Sequence, residues 1–279
     1  MRINIRHETR YAYEELVNGA VLRLRLKPST SSCQTVHHWR VSVNDAPVER
    51  WVTTGYGDNE AVWRAPGKLS EIVIIAEGEV TTIDTAGVLR KQHGALRPLP
   101  FLRDTALTAP SSGLRDLAAS VRSEIGSLDS LHRLCKAVHE TVAYKTGVTT
   151  FETTAAEALE HGHGVCQDQS HIFIAAARLL GIPARYVTGY LRDPERPDDE
   201  HDPHAWAEAW VEEIGWVAFD SSLGNCPMEG HVRLTVGLDA ADASPIRAIA
   251  GRARSVDFSS DVQIAALPLN DSGQSQTQQ

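Results

Sequence analysis

The sequence predicts an α+β fold, with an antiparallel β-sandwich-like domain first and a mixed core of helices and strands after it. Three observations carry this. Residues 1–100 alternate apolar and polar side chains and are rich in β-branched and aromatic types, the period-two signature of half-buried strands. Helical periodicity begins only at Ser112. Strand patterns then return at Ala184 and continue toward the C-terminus.

Taken in order, alternation marks strands at 2–6, 21–27, 36–43, 48–52 and 72–83. Asn-Asp, Gly-Tyr-Gly-Asp and Pro-Gly sequences separate these runs as turns, and Pro28 ends one strand. The pattern changes at Pro98-Leu99-Pro100. Leu114, Leu117, Ala118, Val121 and Ile125 share one helical face, and Leu131, Leu134, Cys135, Val138 and Val142 share another. Thr154 and Glu157 make a capping box before a short helix that Gly162 can close. The next helix opens at Cys166 and is apolar nearly all round over 171–180, so it is predicted to be buried. Gly181 and Pro183 end it. A strand at 184–191, a polar loop at 192–203, and a hairpin of 204–212 with 216–220 through Ile214-Gly215 follow, and 232–236 alternates again. This divides the chain into a β domain at 1–100, a core at 105–230, a β-rich extension at 231–265 and a disordered tail at 266–279.

Hydrophobic residues make up 42% and charged residues 23% of the chain, the profile of a globular protein with a sizeable core. The net charge of -9 disfavours a nucleic-acid partner. The first residues, MRINIRHETRYAYEE, carry charges every few positions and do not read as a signal peptide. No window approaches the ~18 apolar residues of a membrane span. The expectation is a cytoplasmic protein without a membrane partner. Cys33, Cys135, Cys166 and Cys226 stand far apart with no CxxC pair, and reduced thiols suit that compartment.

Cys166 follows Gly162, Gly164 and Val165 and opens the buried helix. A helix N-terminus carries partial positive charge and free N–H groups, which favour negative charge on sulfur and can stabilise the oxyanion of a tetrahedral intermediate. A thiol nucleophile needs a base and a group that orients the base. His204 opens one strand of the predicted hairpin and Asp220 ends the other. A hairpin sets the start of one strand beside the end of its partner, so Asp220 is expected near the His204 imidazole. Spacing alone leaves this a weak signal.

The motifs make it specific. Gly-His-Gly-Val-Cys-Gln-Asp at 162–168, Gly-Ile-Pro-Ala-Arg-Tyr-Val-Thr-Gly-Tyr at 181–190, His-Ala-Trp-Ala-Glu at 204–208 and Gly-Trp-Val-Ala-Phe-Asp at 215–220 occur in one order. In that order and spacing the chain resembles the bacterial transglutaminase-like superfamily. The strand-rich start resembles the N-terminal domain that accompanies this core, and His231 to Arg247 resembles the usual continuation. The resemblance implies a papain-like transglutaminase core with Cys166 as nucleophile, His204 as base and Asp220 as orienter. Ser221-Ser222 replace the family's usual Pro-Thr after the acid. No tryptophan lies between Trp63 and Trp206 to serve as an oxyanion donor, and Tyr144 is a candidate substitute. No acidic loop reads as a calcium site.

Blander readings stand beside these. A cysteine before an apolar helix is ordinarily a core thiol, which is the reading for Cys135. Asp168 is read as electrostatic support for the first helical turn, and Gln167 as an alternative oxyanion or substrate contact. Trp206 and Trp210 are read as packing residues. His161, His163, His171 and His201, with Cys166 and His204, raise a zinc site, but their spacing is a poor match to tetrahedral ligation. The expected function is cysteine-dependent acyl transfer on a protein, peptide or small amide substrate, with no cofactor and no metal. Hydrolysis is favoured over transamidation because water needs no dedicated second site. The alternative is a non-catalytic binding module. Oligomeric state is not set by these residues.

Overall fold

Alternation in the first part of the chain becomes two facing antiparallel sheets in the computed structural model, which describes residues 1–90, 96–123, 127–194, 201–250 and 256–267. The first half supplies β1 (Arg2–Asn18), β2 (Ala20–Leu24), β3 (Gln34–Val43), β4 (Ala46–Pro47), β5 (Val52–Thr53), β6 (Asn59–Arg64), β7 (Lys68–Thr82) and β8 (Val88–Leu89). The second half supplies α1 (Ser112–Val121), α2 (Ser127–Thr141), β9 (Ala143–Tyr144), α3 (Ala155–His161), β10 (His163–Gly164), α4 (Cys166–Leu179), β11 (Ala184–Leu191), β12 (Pro203–Val211), β13 (Gly215–Phe219), β14 (His231–Gly237), β15 (Ile246–Ala250) and β16 (Val256–Leu267).

The N-terminal sandwich has one sheet in the order β16-β1-β7-β3-β4 and another in the order β15-β2-β6-β5. Ile3, Ile5, Val41, Val43, Ile72 and Ile74 from the first sheet meet Leu22 and Leu24 from the second in one buried cluster. That is the inward half of the period-two pattern. Residues 231–265, read from the sequence as an extension, distribute their strands: β14 adds to the core sheet, whereas β15 pairs with β2 and β16 with β1. The disordered tail expected at 266–279 overlaps β16, which runs through Leu267, and residues 268–279 lie outside the described residues. The expected strand at 48–52 is not formed as such. Asn44 and Asp45 both take positive φ, which turns the chain into β4 two residues early, and extended pairing resumes only at Val52.

The core sheet runs β14-β11-β12-β13-β8, so a short strand from the N-terminal half closes its edge. Helices α1, α2 and α3 and strand β12 surround α4. Ile172, Phe173, Ile174, Ala175, Ala176 and Ala177 are buried all round, as the apolar run predicts. The facing residues of β12 are Ala205, Ala207 and Ala209. Their small side chains let the helix lie close to the sheet, while the other face of the same strand carries His204, Trp206, Glu208 and Trp210. Thr154 and Glu157 form the predicted capping box, and Gly162 closes α3 in the left-handed region at φ 67°. The predicted face of α1 is buried through Val121, and Ile125 lies outside the described residues. No helix among the described residues is long and apolar enough to cross a membrane.

Candidate active site

Cys166 is the first residue of α4, at the point where a short parallel pairing of β9 and β10 delivers the chain to the helix. The Asp168 carboxylate folds back on this turn. Its Oδ2 accepts hydrogen bonds from the Val165 N–H at 2.8 Å and from Thr149 Oγ1 at 2.7 Å. A Cβ on Gly164 would lie 2.7 Å from Asp168 Cβ, so only glycine admits the packed carboxylate. Burial raises the Asp168 pKa, against the pull of these hydrogen bonds. Asp168 thus fixes the helix start from inside, the supporting part that the sequence suggested.

His204 is the second residue of β12 and lies opposite Gly189 of β11. A side chain at Gly189 would collide with the Trp206 ring, 2.6 Å from its Cβ position. The glycine therefore lets Trp206 lie flat beneath the site, buried, as the packing reading held. His204 Nε2 bonds Asp220 Oδ2 at 2.7 Å, as expected from the hairpin. That leaves Nδ1 uncommitted to the carboxylate, and His204 and Cys166 line the same cleft. Burial pulls the His204 pKa down, but the charge and hydrogen bond of Asp220, with a smaller contribution from Cys166, outweigh it and raise the pKa to about 10.

Asp220 is fully buried at the end of β13, held by a backbone bridge to Asn225. Its Oδ1 accepts from the Ser222 N–H at 2.9 Å, Ser222 Oγ at 2.6 Å and the Leu223 N–H at 3.4 Å. Ser222, which departs from the family's usual sequence, is thus a direct partner of the acid. His231, at the start of β14, bonds Oδ2 through Nε2 at 3.0 Å, while its Nδ1 accepts the Met228 N–H at 3.1 Å. The acceptor role of Nδ1 leaves the proton on Nε2, so His231 donates to the carboxylate. Burial would raise the Asp220 pKa, yet the two imidazoles hold it far below the usual carboxylate range.

His231 and Thr149 were not singled out from the sequence, and Ser222 was noted there only as a departure from the family's usual Pro-Thr. A lone histidine at a strand start carries no signal of its own, and its place beside Asp220 follows from β14 docking on β11. Gln167 lines the cleft, with its amide donating to the Phe151 carbonyl at 3.2 Å. Tyr144 lines a second, smaller cavity of about 310 Å³ that His204 also lines.

The residues of the zinc hypothesis do not converge among the described residues. His171 is buried in α4 with Nε2 accepting the Ala240 N–H at 3.0 Å, and burial lowers its pKa to about 4. His161 and His163 stack on each other. The group that does gather is His204, Asp220 and His231, whose donor atoms lie within 4.8 Å of one another. These atoms already serve one another as hydrogen-bond donors and acceptors, and a metal would have to displace the Nε2 proton that Met228 fixes on His231.

Cys166 and His204 open onto a cleft of about 760 Å³. The family model of the transglutaminase-like superfamily matches residues 115–221, and that of the bacterial transglutaminase-like N-terminal region matches residues 3–81. An uncharacterized protein of Mycobacterium tuberculosis is 26% identical over 273 residues, covering 89% of this chain and 87% of its own length. A protein-glutamine gamma-glutamyltransferase of Pseudomonas aeruginosa is 29% identical over 119 residues, which are 38% of this chain and 17% of that protein. A candidate cysteine protease of Cytophaga hutchinsonii shares the fold, with a TM-score of 0.73 at 24% identity over 97% of this chain and 92% of that one. The chain therefore belongs to the transglutaminase-like superfamily, with its core at 115–221 and a bacterial transglutaminase-like N-terminal region at 3–81.

Proposed function

We propose that the protein is a cysteine-dependent acyl-transfer enzyme that cleaves amide or peptide carbonyls, with Cys166 as nucleophile, His204 as acid and base, and Asp220 as orienter. One observation carries the reading: a buried imidazole bonded to a carboxylate at 2.7 Å shares one cleft with a thiol at a helix start. His204, its pKa raised to about 10, holds the thiol proton as an imidazolium at neutral pH, and the sulfur attacks the carbonyl carbon, forming a C–S bond as the carbonyl π pair moves to oxygen. The oxyanion develops against the free N–H groups of the first turn of α4. His204 then gives its proton to the leaving nitrogen as the C–N bond breaks, and an acyl-thioester remains. Water, deprotonated by the now neutral His204, releases the acid and restores the thiol. Hydrolysis is the favoured outcome because water needs no site of its own. The cavity beyond His204 offers room for an amine, so transamidation is the second reading. Products formed with and without a primary amine distinguish the two.

The test is an electrophilic acyl probe with mass spectrometry. The acyl mass is expected on Cys166 in the wild-type protein. In Cys166→Ala turnover is expected to vanish at an unchanged melting temperature, because a thiol gives way to a small apolar group. Turnover by the folded variant would remove Cys166 as the nucleophile, and labelling of Cys166 no faster than of buried Cys135 would return the protein to the binding-module reading. The intact trio speaks against that reading.

A pH profile gives a second prediction. A raised imidazole pKa keeps the leaving-group proton available up to about pH 10 and loses it above. The alkaline fall in kcat/KM is therefore expected near pH 10. A fall centred near 6.5, the ordinary histidine value, would mean that the carboxylate does not support this ring.

A further inference from the structure

The cleft outside Cys166 and His204 is lined mainly by apolar groups, among them Phe151, Tyr186, Ala240 and Pro245. Arg247 is the only permanently charged side chain among its described lining residues, and no carboxylate lines it. Arg247 lies in β15, beyond the segment that carries the trio, and donates through Nη2 to the Ala241 carbonyl of the same wall. That contact leaves the other guanidinium N–H groups for a ligand.

The wall is built rather than loose. Its Ala240 N–H is held by His171 of α4 at 3.0 Å. From the N-terminal sandwich, Arg25 Nη1 donates to the Asp242 carbonyl at 2.7 Å and the Arg25 N–H to the Pro245 carbonyl at 2.7 Å. Tyr56 Oη donates to Asp242 Oδ2 at 2.6 Å, and that carboxylate also accepts the Leu238 N–H at 3.0 Å. Arg247 itself pairs in register with Arg23 of β2. The nearby acid is thus committed to the wall, and the N-terminal region holds the arginine in place.

We propose that Arg247 selects acyl donors bearing a carboxylate, and that presenting this arginine is a task of the N-terminal sandwich. The proposal rests on Cys166 being the acylated nucleophile. Arg247 is exposed at the edge of the cleft, so its attraction for a ligand charge is open to screening by salt. A guanidinium fork matches a carboxylate geometrically. One guanidinium balances a monoanion, whereas a phosphate dianion would keep an unmatched charge.

The experiment compares succinyl, glutaryl and adipyl thiophenyl esters with their distal methyl esters, by kcat/KM and by mass spectrometry of acylated Cys166. Wild-type protein is expected to prefer at least one acid over its methyl ester by tenfold or more, a preference that salt weakens. Arg247→Gln is expected to lower that acid-to-ester ratio about tenfold, and Arg247→Glu to invert it, in proteins with wild-type melting temperatures. Equal use of acids and esters by the wild type, or an unchanged ratio in Arg247→Gln, overturns the assignment while acylation of Cys166 by either donor leaves the acyl-transfer reading standing. If no donor acylates Cys166, both fall together.

Discussion

Asp220→Asn is expected to cost about four orders of magnitude in kcat, the scale on which a triad suffers when its base is held in the wrong tautomer. The reason lies in five hydrogen bonds that all run toward the carboxylate. Oδ2 accepts from His204 and His231, and Oδ1 from Ser222 twice and from Leu223. An amide cannot satisfy both sides. With its oxygen toward the histidines, its NH₂ faces the backbone N–H groups of Ser222 and Leu223. With its NH₂ toward the histidines, it faces His231 Nε2–H, whose proton is fixed there by Met228. In that second pose His204 Nε2 becomes an acceptor and its proton moves to Nδ1, so the ring can no longer take the proton of Cys166. Leaving a buried donor unpaired costs about 1–3 kcal/mol of stability in either pose. The variant should therefore fold with a lowered melting temperature, and its alkaline limb should shift to lower pH because the charge that supports the imidazolium is gone. Steady-state kinetics on an activated acyl donor, with a thermal melt as control, check this. Residual activity above a tenth of wild type would mean that the acid does not orient the base.

The sequence made the sandwich strands, the buried helix and the active-site hairpin legible, since each depends on local periodicity. Residues 184–191 were read as a strand and form β11 with those bounds. β6 was not read because Asn59 and Glu60 open it and only Ala61 is buried, too little alternation to register. The pairing of β16 with β1 joins the two ends of the chain, and no local pattern carries a contact of that range. The same holds within the site. Cys166, His204 and Asp220 were singled out because their motifs surround them. His231 and Arg247 were not, because each reaches the site through strand pairings, β14 on β11 and β15 on β2, that depend on the assembled fold.

Glu208→Ala is expected to destabilise the protein by about 3–5 kcal/mol, the cost of leaving buried charge without its partner. Glu208 projects from the same face of β12 as His204 and is fully buried. Arg185 Nε donates to its Oε2 at 2.6 Å and Arg233 Nε to its Oε1 at 2.7 Å. Arg233 lies 3.7 Å from Asp58, and Asp58 in turn pairs with Arg25. The chain of charges therefore begins in the core sheet and ends in the N-terminal sandwich. Burial lowers the Arg185 pKa to about 10, still charged at neutral pH. Burial also opposes charge on Glu208 and Arg233, but their mutual attraction outweighs it, lowering the acid and raising the base. With Glu208 removed, three arginines face Asp58 alone. A loss of this size is a large share of the 5–15 kcal/mol that holds a typical domain together. Because Arg25 also anchors the wall that carries Arg247, the damage should reach the cleft. Urea titration at neutral pH measures the stability loss, and limited proteolysis reports whether the sandwich has loosened from the core. A loss below about 1 kcal/mol, the range of exposed pairs, would show that these groups are not charged and paired as their distances indicate.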